Sequence, residues 1–408
     1  MSSDERREPI GPQLLQRLLE SGRMATPDQV GPIVAAALEP VGARDVAVLL
    51  TDYSQRRLLP LPPAEPRPRE IDASDAGEAF RLMRPCVRPL QGRQRVCLPL
   101  LDGVERLGAL ELTLPDDVPL DASRMLLLVS FASAVAELVT TKGQYGDSLA
   151  RAARDRPMSL AAEVQWQALP PLTFATDGVV VAGSVEPSYQ VGGDSFDYAA
   201  DGRRVRFAVL DAMGHGLQAS LLSTTAVAAY RNARRGPQPG LPDVVRHMDA
   251  AVREAFPGGQ YVTAVVADLD LGSGRLDWVL AGHPAPLVLH HGRVERSLEV
   301  EPHPPLGLLH LDGADELRVG TTALAPGDCV LAYTDGVVEG RDPDGRFFGV
   351  ERLVAALTES AAAGLPVPET LRQVMLRVLA HQAGRVQDDA TQLLVEWRSG
   401  RERQLSPV

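Results

Sequence analysis

The sequence predicts at least two domains, of which the C-terminal one has an α+β fold built on antiparallel sheets. The chain has 408 residues, which is long enough for two or three domains. Between positions 179 and 397 most strand patterns follow one another, and the long helical patterns stand apart from them. A doubly wound sheet would need regular alternation of strand and helix, so this order of elements favours α+β.

The composition is that of a globular protein with aliphatic cores. Hydrophobic residues make up 45% of the chain, charged residues 23% and aromatic residues only 4%. The net charge of -12 argues against binding to a nucleic-acid backbone, which needs clustered lysine and arginine. The same excess of carboxylates suits a protein that gathers them around metal ions.

Three features predict a cytoplasmic protein without a membrane span. The N-terminus, MSSDERREPI, lacks the apolar core of a signal peptide. The most apolar window, 125–139, is too short for a span and contains Glu137. The cysteines, Cys86, Cys97 and Cys329, show no paired spacing, so they predict neither a disulfide framework nor a zinc motif, as expected in a reducing compartment.

Residues 1–24 are predicted to form a tail or a short docking helix, and residues 25–140 a first domain. The predicted elements of this domain are the helix Val30–Leu38, the strand Asp45–Leu50, an exposed loop rich in Pro and Arg at 59–70, strands at 95–101 and 107–114 joined by a hairpin turn, and a closing helix at 120–139. This order resembles a GAF domain, an α/β sensor fold, and the stretch LPLLDGVERLGALEL carries most of the likeness. The apolar stripe of the closing helix predicts either a homodimer contact or burial against the domain's own sheet.

Residues 141–170 are predicted to be a helical linker. Gly143 and Gly146 end the preceding helix, and Ser159 is a candidate cap for a second helix that runs to position 169. The apolar residues of this second helix, from Leu160 to Leu169, fall mostly on one side. It is interpreted as a packing helix at the start of the next domain, with a regulatory switch as the alternative.

The C-terminal domain is predicted at 171–397, followed by a loose tail at 398–408. Its predicted strands lie at 179–185, 204–210, 261–270, 274–281, 285–290, 328–333 and 391–397. Its predicted helices lie at 217–235, 241–256, 350–363 and 368–383.

Four acidic turns in this domain predict a metal site. They are VGGDSFDY with Asp194 and Asp197, LDAMGHG with Asp211, YTDGVVEG with Asp335 and Glu339, and QDDAT with Asp388 and Asp389. The turns are far apart in the sequence, so only folding brings them together, and converging carboxylates repel one another unless a cation neutralises them. Oxygen ligands without Cys or His select hard ions such as Mg²⁺ or Mn²⁺, and two such ions can activate a water and hold phosphoryl oxygens. A turn or capping role for each aspartate is the simpler alternative.

Six motifs occur in order in this domain: GGDSFD, LDAMGHG, AGHPAP, PLG, GDCVLAYTDGVVEGRD and DDAT. In this order they resemble the SpoIIE-type branch of the PPM metal-dependent serine/threonine phosphatases, which includes the RsbU-like regulators. The resemblance covers residues 171–397. It implies an αββα sandwich, in which two stacked antiparallel sheets carry helices on their outer faces, with a site for two Mn²⁺ or Mg²⁺ ions at one edge.

The resemblance also implies roles for individual residues. Asp211 matches the acid that bridges both metals, and the backbone carbonyl of Ala212 matches a ligand of one of them. Asp194 matches the acid that contacts that same metal, so the expected catalytic residues are Asp211 and Asp194. Asp335 and Asp388 match the ligands of the second metal.

Other residues near the motifs are expected to act around the metals rather than on them. Asp389 is expected to steady its turn, and Asp197 and Glu339 to support the ligands. His215, beside the metal turn, either protonates the leaving serine oxygen or only packs against the turn. His283, in AGHPAP, is expected to be structural.

The implied activity is that of a Mg²⁺- or Mn²⁺-dependent phosphatase acting on phosphoserine or phosphothreonine in proteins. The implied substrate is a phosphorylated STAS-domain anti-sigma-factor antagonist in bacterial partner-switching signalling, which regulates a sigma factor. The GAF-like domain is expected to bind a small-molecule or protein signal and to regulate the phosphatase. The alternative is a catalytically silent phosphatase fold that acts as a binding or sensor protein. Loss of a metal-binding acid would mark that alternative, and all four matched aspartates are present.

Overall fold

The computed structural model of the chain describes residues 10–65, 67–190, 192–237, 239–290, 293–311, 313, 316–384, 388–398 and 405. The chain divides into two compact units, one formed by Met1–Pro157 with Leu405–Val408 and the other by Met158–Gln404. The second unit begins at Met158, whereas the sequence analysis placed the start of this domain at position 171. Of the predicted tail at 398–408, only Arg398 and Leu405 lie among the described residues.

The first unit is a six-stranded antiparallel sheet with helices on both faces. Its helices are α1 (Ile10–Arg23), α2 (Val30–Leu38), α3 (Asp75–Leu82), α4 (Ala122–Gly143) and α5 (Ser148–Ala152). Its strands are β1 (Arg44–Thr51), β2 (Arg57–Pro60), β3 (Arg69–Glu70), β4 (Cys86–Leu90), β5 (Arg93–Asp102) and β6 (Glu105–Pro115). They lie in the order β3-β2-β1-β6-β5-β4. This arrangement confirms the predicted N-terminal α/β domain.

Of the two predictions for residues 1–24, a tail or a short docking helix, the described part agrees with the helix. Residues 1–9 lie outside the described residues, but α1 follows them, and its Leu14 and Leu18 are buried in the core shared with α2 and α4. These leucines are four residues apart and so lie on one face of the helix, which packs as part of the first unit.

Helix α4 packs against the sheet of its own unit. Seven of its residues are buried there: Leu128, Val129, Phe131, Ala132, Val135, Ala136 and Val139. Within the described ranges it is also the one helix long and apolar enough to cross a membrane, with a mean hydropathy of 1.6, although a buried core helix passes the same test. The burial agrees with the alternative in which the apolar stripe covers its own sheet.

The second unit consists of two antiparallel sheets packed face to face, with helices on the outer faces. Its strands are β7 (Thr173–Thr176), β8 (Val179–Glu186), β9 (Asp194–Asp201), β10 (Arg204–Ala212), β11 (Val262–Asp270), β12 (Arg275–Ala281), β13 (Leu287–His290), β14 (Arg293–Ser297), β15 (Gly320–Ala323), β16 (Asp328–Tyr333) and β17 (Ala390–Trp397). One sheet has the order β15-β12-β11-β10-β9 and the other β14-β13-β16-β17-β8-β7.

The helices of this unit are α6 (Leu160–Ala168), α7 (Leu217–Arg234), α8 (Leu241–Ala255), α9 (Asp335–Glu339), α10 (Gly349–Ala362) and α11 (Val367–His381). Helices α7 and α8 cover the five-stranded sheet, and α11 covers β8 and β17 of the six-stranded sheet. The layers thus follow the order helix, sheet, sheet, helix, which confirms the predicted αββα sandwich.

Alternation of side chains along β10 explains how the sandwich presents its acidic residue. Phe207 and Val209 face the core between the sheets, whereas Ala208 and Leu210 face α7 and α8. Asp211 continues the first series. It therefore lies on the face between the two sheets, at the end of the strand.

Helix α6 belongs to the second unit rather than to a linker. Ser159 caps it as predicted, since its hydroxyl accepts from the N–H of Ala162. The predicted apolar face is only partly covered, because Leu160 is 63% exposed whereas Val164, Trp166 and Leu169 are half-buried. The buried side chains are Ala161, Ala162, Gln165 and Ala168. Small alanines permit close packing against α7, with which this helix is in contact.

Candidate metal centre

The predicted acidic residues come from both sheets and meet at one end of the sandwich. Asp194, the first residue of β9, lies directly opposite Asp211 across the β9–β10 pair. Asp335 follows β16, and Asp388 precedes β17, the neighbour of β16 in the other sheet. The stretch with Asp194 was predicted as a turn and is instead the start of a strand, because Phe196 and Tyr198 alternate into the core between the sheets.

An open cavity of about 570 Å³ lies at this end of the sandwich. It is lined by Gln190, Asp211, Ala212, Met213, Gly214, His215, Gly216, Tyr261, Thr263, Asp335 and Asp388. Gly214 and Gly216 have φ angles of +92° and +76°, which only glycine adopts readily, and they form the tight turn that follows Asp211. The structure therefore brings together four of the five predicted ligands, Ala212 among them, on one cavity wall.

Asp194 lies behind this wall and is not among the described residues that line the cavity. It is 1% exposed, and its Oδ2 accepts a hydrogen bond of 2.6 Å from Thr334 Oγ1. The Thr334 hydroxyl in turn accepts from the N–H of Thr391 at 2.9 Å. The two threonines thus hold the Asp194 carboxylate at the seam between the sheets.

Asp389 belongs to the same cluster of buried carboxylates. It is 5% exposed, and its Oδ2 accepts from the N–H of Asp194 at 3.3 Å. A Cβ on Gly193 would lie 3.2 Å from this Oδ2, 3.3 Å from the carbonyl oxygen of Ala212 and 3.4 Å from that of Gly214. Glycine at 193 thus leaves an oxygen-lined notch beside the predicted carbonyl ligand.

Among the described residues, no hydrogen bond joins Asp197 or Glu339 to a predicted ligand, although the charge of Glu339 helps to raise the pKa of Asp335. The buried Asp197 carboxylate accepts hydrogen bonds from Arg231, at 2.8 Å, and from Arg234, so it joins β9 to α7. It is three residues from Asp194 along a strand and therefore faces the opposite side of the sheet. Glu339 is exposed at the end of α9.

The clustered carboxylates disfavour one another's ionised forms. Burial, and then the charges of Asp335 and Asp388, raise the pKa of Asp211 to about 7, while a hydrogen bond with Thr263 acts in the opposite direction. Burial likewise raises the pKa of Asp389 to about 7. Burial and the charge of Asp388 raise the pKa of Asp335. A positive ion in the cavity would relieve this repulsion.

The chemistry of the donors fits a hard divalent cation. Asp211, Asp335 and Asp388 supply carboxylate oxygens and Ala212 a carbonyl oxygen, which are the ligands that Mg²⁺ and Mn²⁺ prefer. In the part of the chain that the structure describes, no group of three or more His, Cys, Asp or Glu side chains has the spacing of a finished metal site. Suitable donors therefore line the cavity, but they are not close enough together to surround a single ion.

Two histidines lie at different depths beside the cavity. His215 is exposed on its wall. His283 is 5% exposed, and its Nδ1 lies 2.7 Å from Thr263 Oγ1. Burial lowers the pKa of His283 to about 3, so the ring is neutral at physiological pH. Thr263 was not identified from the sequence, because a lone threonine within a strand pattern carries no functional signal.

Comparison with known proteins finds a family match for most of the second unit. Residues 201–398 match the family described as Stage II sporulation protein E (SpoIIE). The chain is 26% identical over 190 residues to the phosphoserine phosphatase RsbP of Bacillus subtilis, which covers 45% of this chain and 45% of RsbP. The chain spans less than half the length of the curated relatives it matches.

Two solved structures are also similar to it. The RsbU and RsbW domains of Rv1364c from Mycobacterium tuberculosis align with a TM-score of 0.46 and 26% identity, covering 54% of this chain and 62% of that one. The SiaA-PP2C domain of Pseudomonas aeruginosa aligns with a TM-score of 0.48 and 21% identity, covering 58% and 94%.

Residues 201–398, which match the SpoIIE family, lie within the second unit, and that unit has the two-sheet architecture described above. Asp211, Ala212, Asp335 and Asp388 lie within the matched residues, whereas Asp194 lies before them.

The raised pKa of Asp211 predicts how metal-free stability depends on pH. The folded chain holds a proton on this carboxyl up to about pH 7, whereas an unfolded chain releases it near the ordinary value of 3.8. Between these values the folded state binds more protons, so stability falls as the pH rises. In EDTA, Asp211→Asn should melt at a higher temperature than the parent at pH 8, and this gain should shrink at pH 5.

Differential scanning calorimetry across this pH range measures the effect. Asp177→Asn, on an exposed turn, is the control and should show no pH-dependent gain. A gain of equal size at pH 5 and pH 8 would mean that repulsion at Asp211 is not its cause.

Proposed function

We propose that the chain is a metal-dependent protein phosphatase that hydrolyses phosphoserine or phosphothreonine, using two Mn²⁺ or Mg²⁺ ions. The observation that carries this proposal is the convergence of Asp211, Asp335 and Asp388 from two sheets on one open cavity. The cavity is accessible from solvent, as a phosphorylated side chain of another protein requires.

Asp211, Asp335, Asp388 and the carbonyl of Ala212 would hold the ions, with Asp194 joining them from behind the wall. When bound, such ions activate a water and neutralise charge on the phosphoryl oxygens. The protein itself would position the carboxylates around the cavity. Their negative charges would be neutralised only when the ions are bound. Because the pKa of Asp211 is raised to about 7, protons compete with cations for its oxygens, and we expect cation binding to strengthen as the pH rises.

We expect backbone donors, rather than a basic side chain, to hold the phosphate. No arginine or lysine lies among the described residues that line the cavity. Helix α7 begins one residue after Gly216, so the positive end of an 18-residue helix borders the cavity. We propose that His215, which is exposed on the same wall, protonates the leaving serine oxygen; its alternative role is to pack on the turn.

The proposed substrate is a phosphorylated STAS-domain protein, an anti-sigma-factor antagonist in bacterial partner-switching signalling, and the proposed location is the cytoplasm. The name of RsbP, a phosphoserine phosphatase, supports the class of substrate. A catalytically silent binding or sensor protein is the second candidate, and the presence of all the matched aspartates weighs against it.

Activity of the full chain tests the proposal. A phosphoserine-bearing STAS-domain protein should release phosphate with Mn²⁺ and not with EDTA, and Asp211→Asn should reduce the rate to background because the shared ligand loses its charge. Phosphate release and a phosphoprotein gel provide the measurement, with Asp177→Asn as the active control. Binding of the phosphoprotein without any release of phosphate would favour the silent candidate.

We also propose that the GAF-like first unit regulates the phosphatase, and that α6 participates. Gln165 of α6 donates to the carbonyl oxygen of Asp194 at 2.5 Å, and Ser220 of α7 donates to that of Ala161 in α6 at 3.1 Å. A shift of α6 would therefore act on the strand end that carries Asp194. We further propose that the chain forms a homodimer.

A fragment that begins at Met158 tests the regulation, because the second unit starts there. Its phosphate-release rate with Mn²⁺ should differ from that of the full chain, since the first unit no longer biases α6. Circular dichroism would verify that the fragment is folded. Equal rates for the fragment and the full chain, with and without a cell extract as the source of signal, would contradict regulation by the first unit.

A further inference from the structure

We propose that His283 is a positioning residue of the metal centre, which holds the Thr263 hydroxyl in the orientation that donates to Asp211. The inference rests on the proposed function, because it concerns the site of the cations. It assigns a task to the histidine of AGHPAP, which the sequence analysis expected to be structural.

The three side chains come from three segments, the strands β10 and β11 and the loop that follows β12. Thr263 in β11 is directly opposite Asp211 in the β10–β11 pair, and both residues lie on the face between the sheets. The Thr263 side chain hydrogen-bonds to the Asp211 carboxyl. On its other side, Thr263 Oγ1 lies 2.7 Å from His283 Nδ1. The threonine hydroxyl therefore bridges the histidine and the predicted metal-bridging acid.

The hydrogen-bonding capacity of each group determines the direction of this chain. A threonine hydroxyl carries one hydrogen, and an ionised carboxylate only accepts. If the hydroxyl donates to Asp211, its oxygen accepts from His283, which must then carry its proton on Nδ1. The ring is buried and neutral, so it has a single N–H, for which Thr263 Oγ1 and the backbone carbonyl of Tyr333 are the two acceptors. The proposal places this hydrogen on Nδ1, so that the chain runs from His283 through the Thr263 hydroxyl to Asp211.

The backbone around His283 holds the ring in this position. Gly282 donates to the carbonyl oxygen of His303 at 2.8 Å, and His303 donates to that of Leu280 at 2.8 Å. Gly282 has a φ of +65°, and a Cβ there would lie 2.7 Å from Pro305 Cγ. The loop that delivers His283 therefore has little freedom, and its ring can orient a flexible hydroxyl. Partners that orient metal ligands in this manner commonly contribute 10–100-fold to metal affinity.

Two amide substitutions separate this role from simple packing. The side-chain nitrogen of asparagine is as many bonds from the backbone as Nδ1, whereas that of glutamine corresponds to Nε2. Isothermal titration of the full chain with Mn²⁺ should therefore show near-parental affinity for His283→Asn. For His283→Gln, His283→Leu and Thr263→Val we expect affinity weaker by about 10-fold or more.

A second buried histidine provides the matched control. His303 is 2% exposed in the same region, but its Nε2 accepts from the N–H of Arg318 at 2.7 Å and not from the cavity wall. His303→Gln should bind Mn²⁺ like the parent. If His283→Leu does not fold, Thr263→Val replaces it in the test. This variant removes the same hydrogen-bonded bridge and keeps the shape of the side chain.

The tautomer provides a readout that does not depend on metal or activity. Long-range ¹⁵N–¹H spectra of the full chain should show His283 neutral and protonated on Nδ1. An Nε2–H tautomer would overturn the inference, and so would parental Mn²⁺ affinity in Thr263→Val. If the parent itself binds no Mn²⁺, the proposed function fails along with this inference, whereas Mn²⁺ binding that is indifferent to both residues overturns this inference alone.

Discussion

Electrostatic repulsion among aspartates at the end of a two-sheet sandwich is the constraint on which the site depends. Asp211 and Asp194 are cross-strand neighbours in one sheet, and Asp335 and Asp388 flank adjacent strands of the other. Packing of the sheets around one apolar core forces these strand ends together. The core thereby imposes an arrangement of like charges that, in the absence of a cation, raises carboxyl pKa values and costs stability.

The clustered carboxylates accept hydrogen bonds from neutral hydroxyl and backbone groups. Thr334 donates to Asp194, Thr263 bonds to Asp211, and the N–H of Asp194 donates to Asp389. The basic side chains near β9, in contrast, lie on the other side of the sheet, where Arg231 and Arg234 pair with Asp197. The cavity thus keeps its negative charge available for cations instead of neutralising it with arginines.

Much of this arrangement could be predicted from the sequence because it follows strong local patterns. The apolar runs before Asp211 and Asp335 specify strands, and the acid at the end of each run lies at the edge of a sheet. Strand β9 was missed because GGDSFDY is short and acidic, and its Phe196 and Tyr198 reveal alternation only when the facing sheet is known. The prediction of which face of α6 is buried failed in part for a similar reason. The face that packs against α7 contains alanines, and the larger Leu160 is exposed.

The support around the ligands could not be predicted, because it consists of single residues brought together by tertiary contacts. Thr263 and His283 lie 20 positions apart, and neither has a pattern that marks it. Anomalous scattering from a crystal of the full chain soaked in Mn²⁺ tests the central claim most directly. The account predicts two manganese peaks in the cavity, about 3.5–4 Å apart, with Asp211 between them and with Ala212, Asp335 and Asp388 as further ligands. Peaks elsewhere on the chain, or a saturated soak that leaves this cavity without manganese, would contradict it.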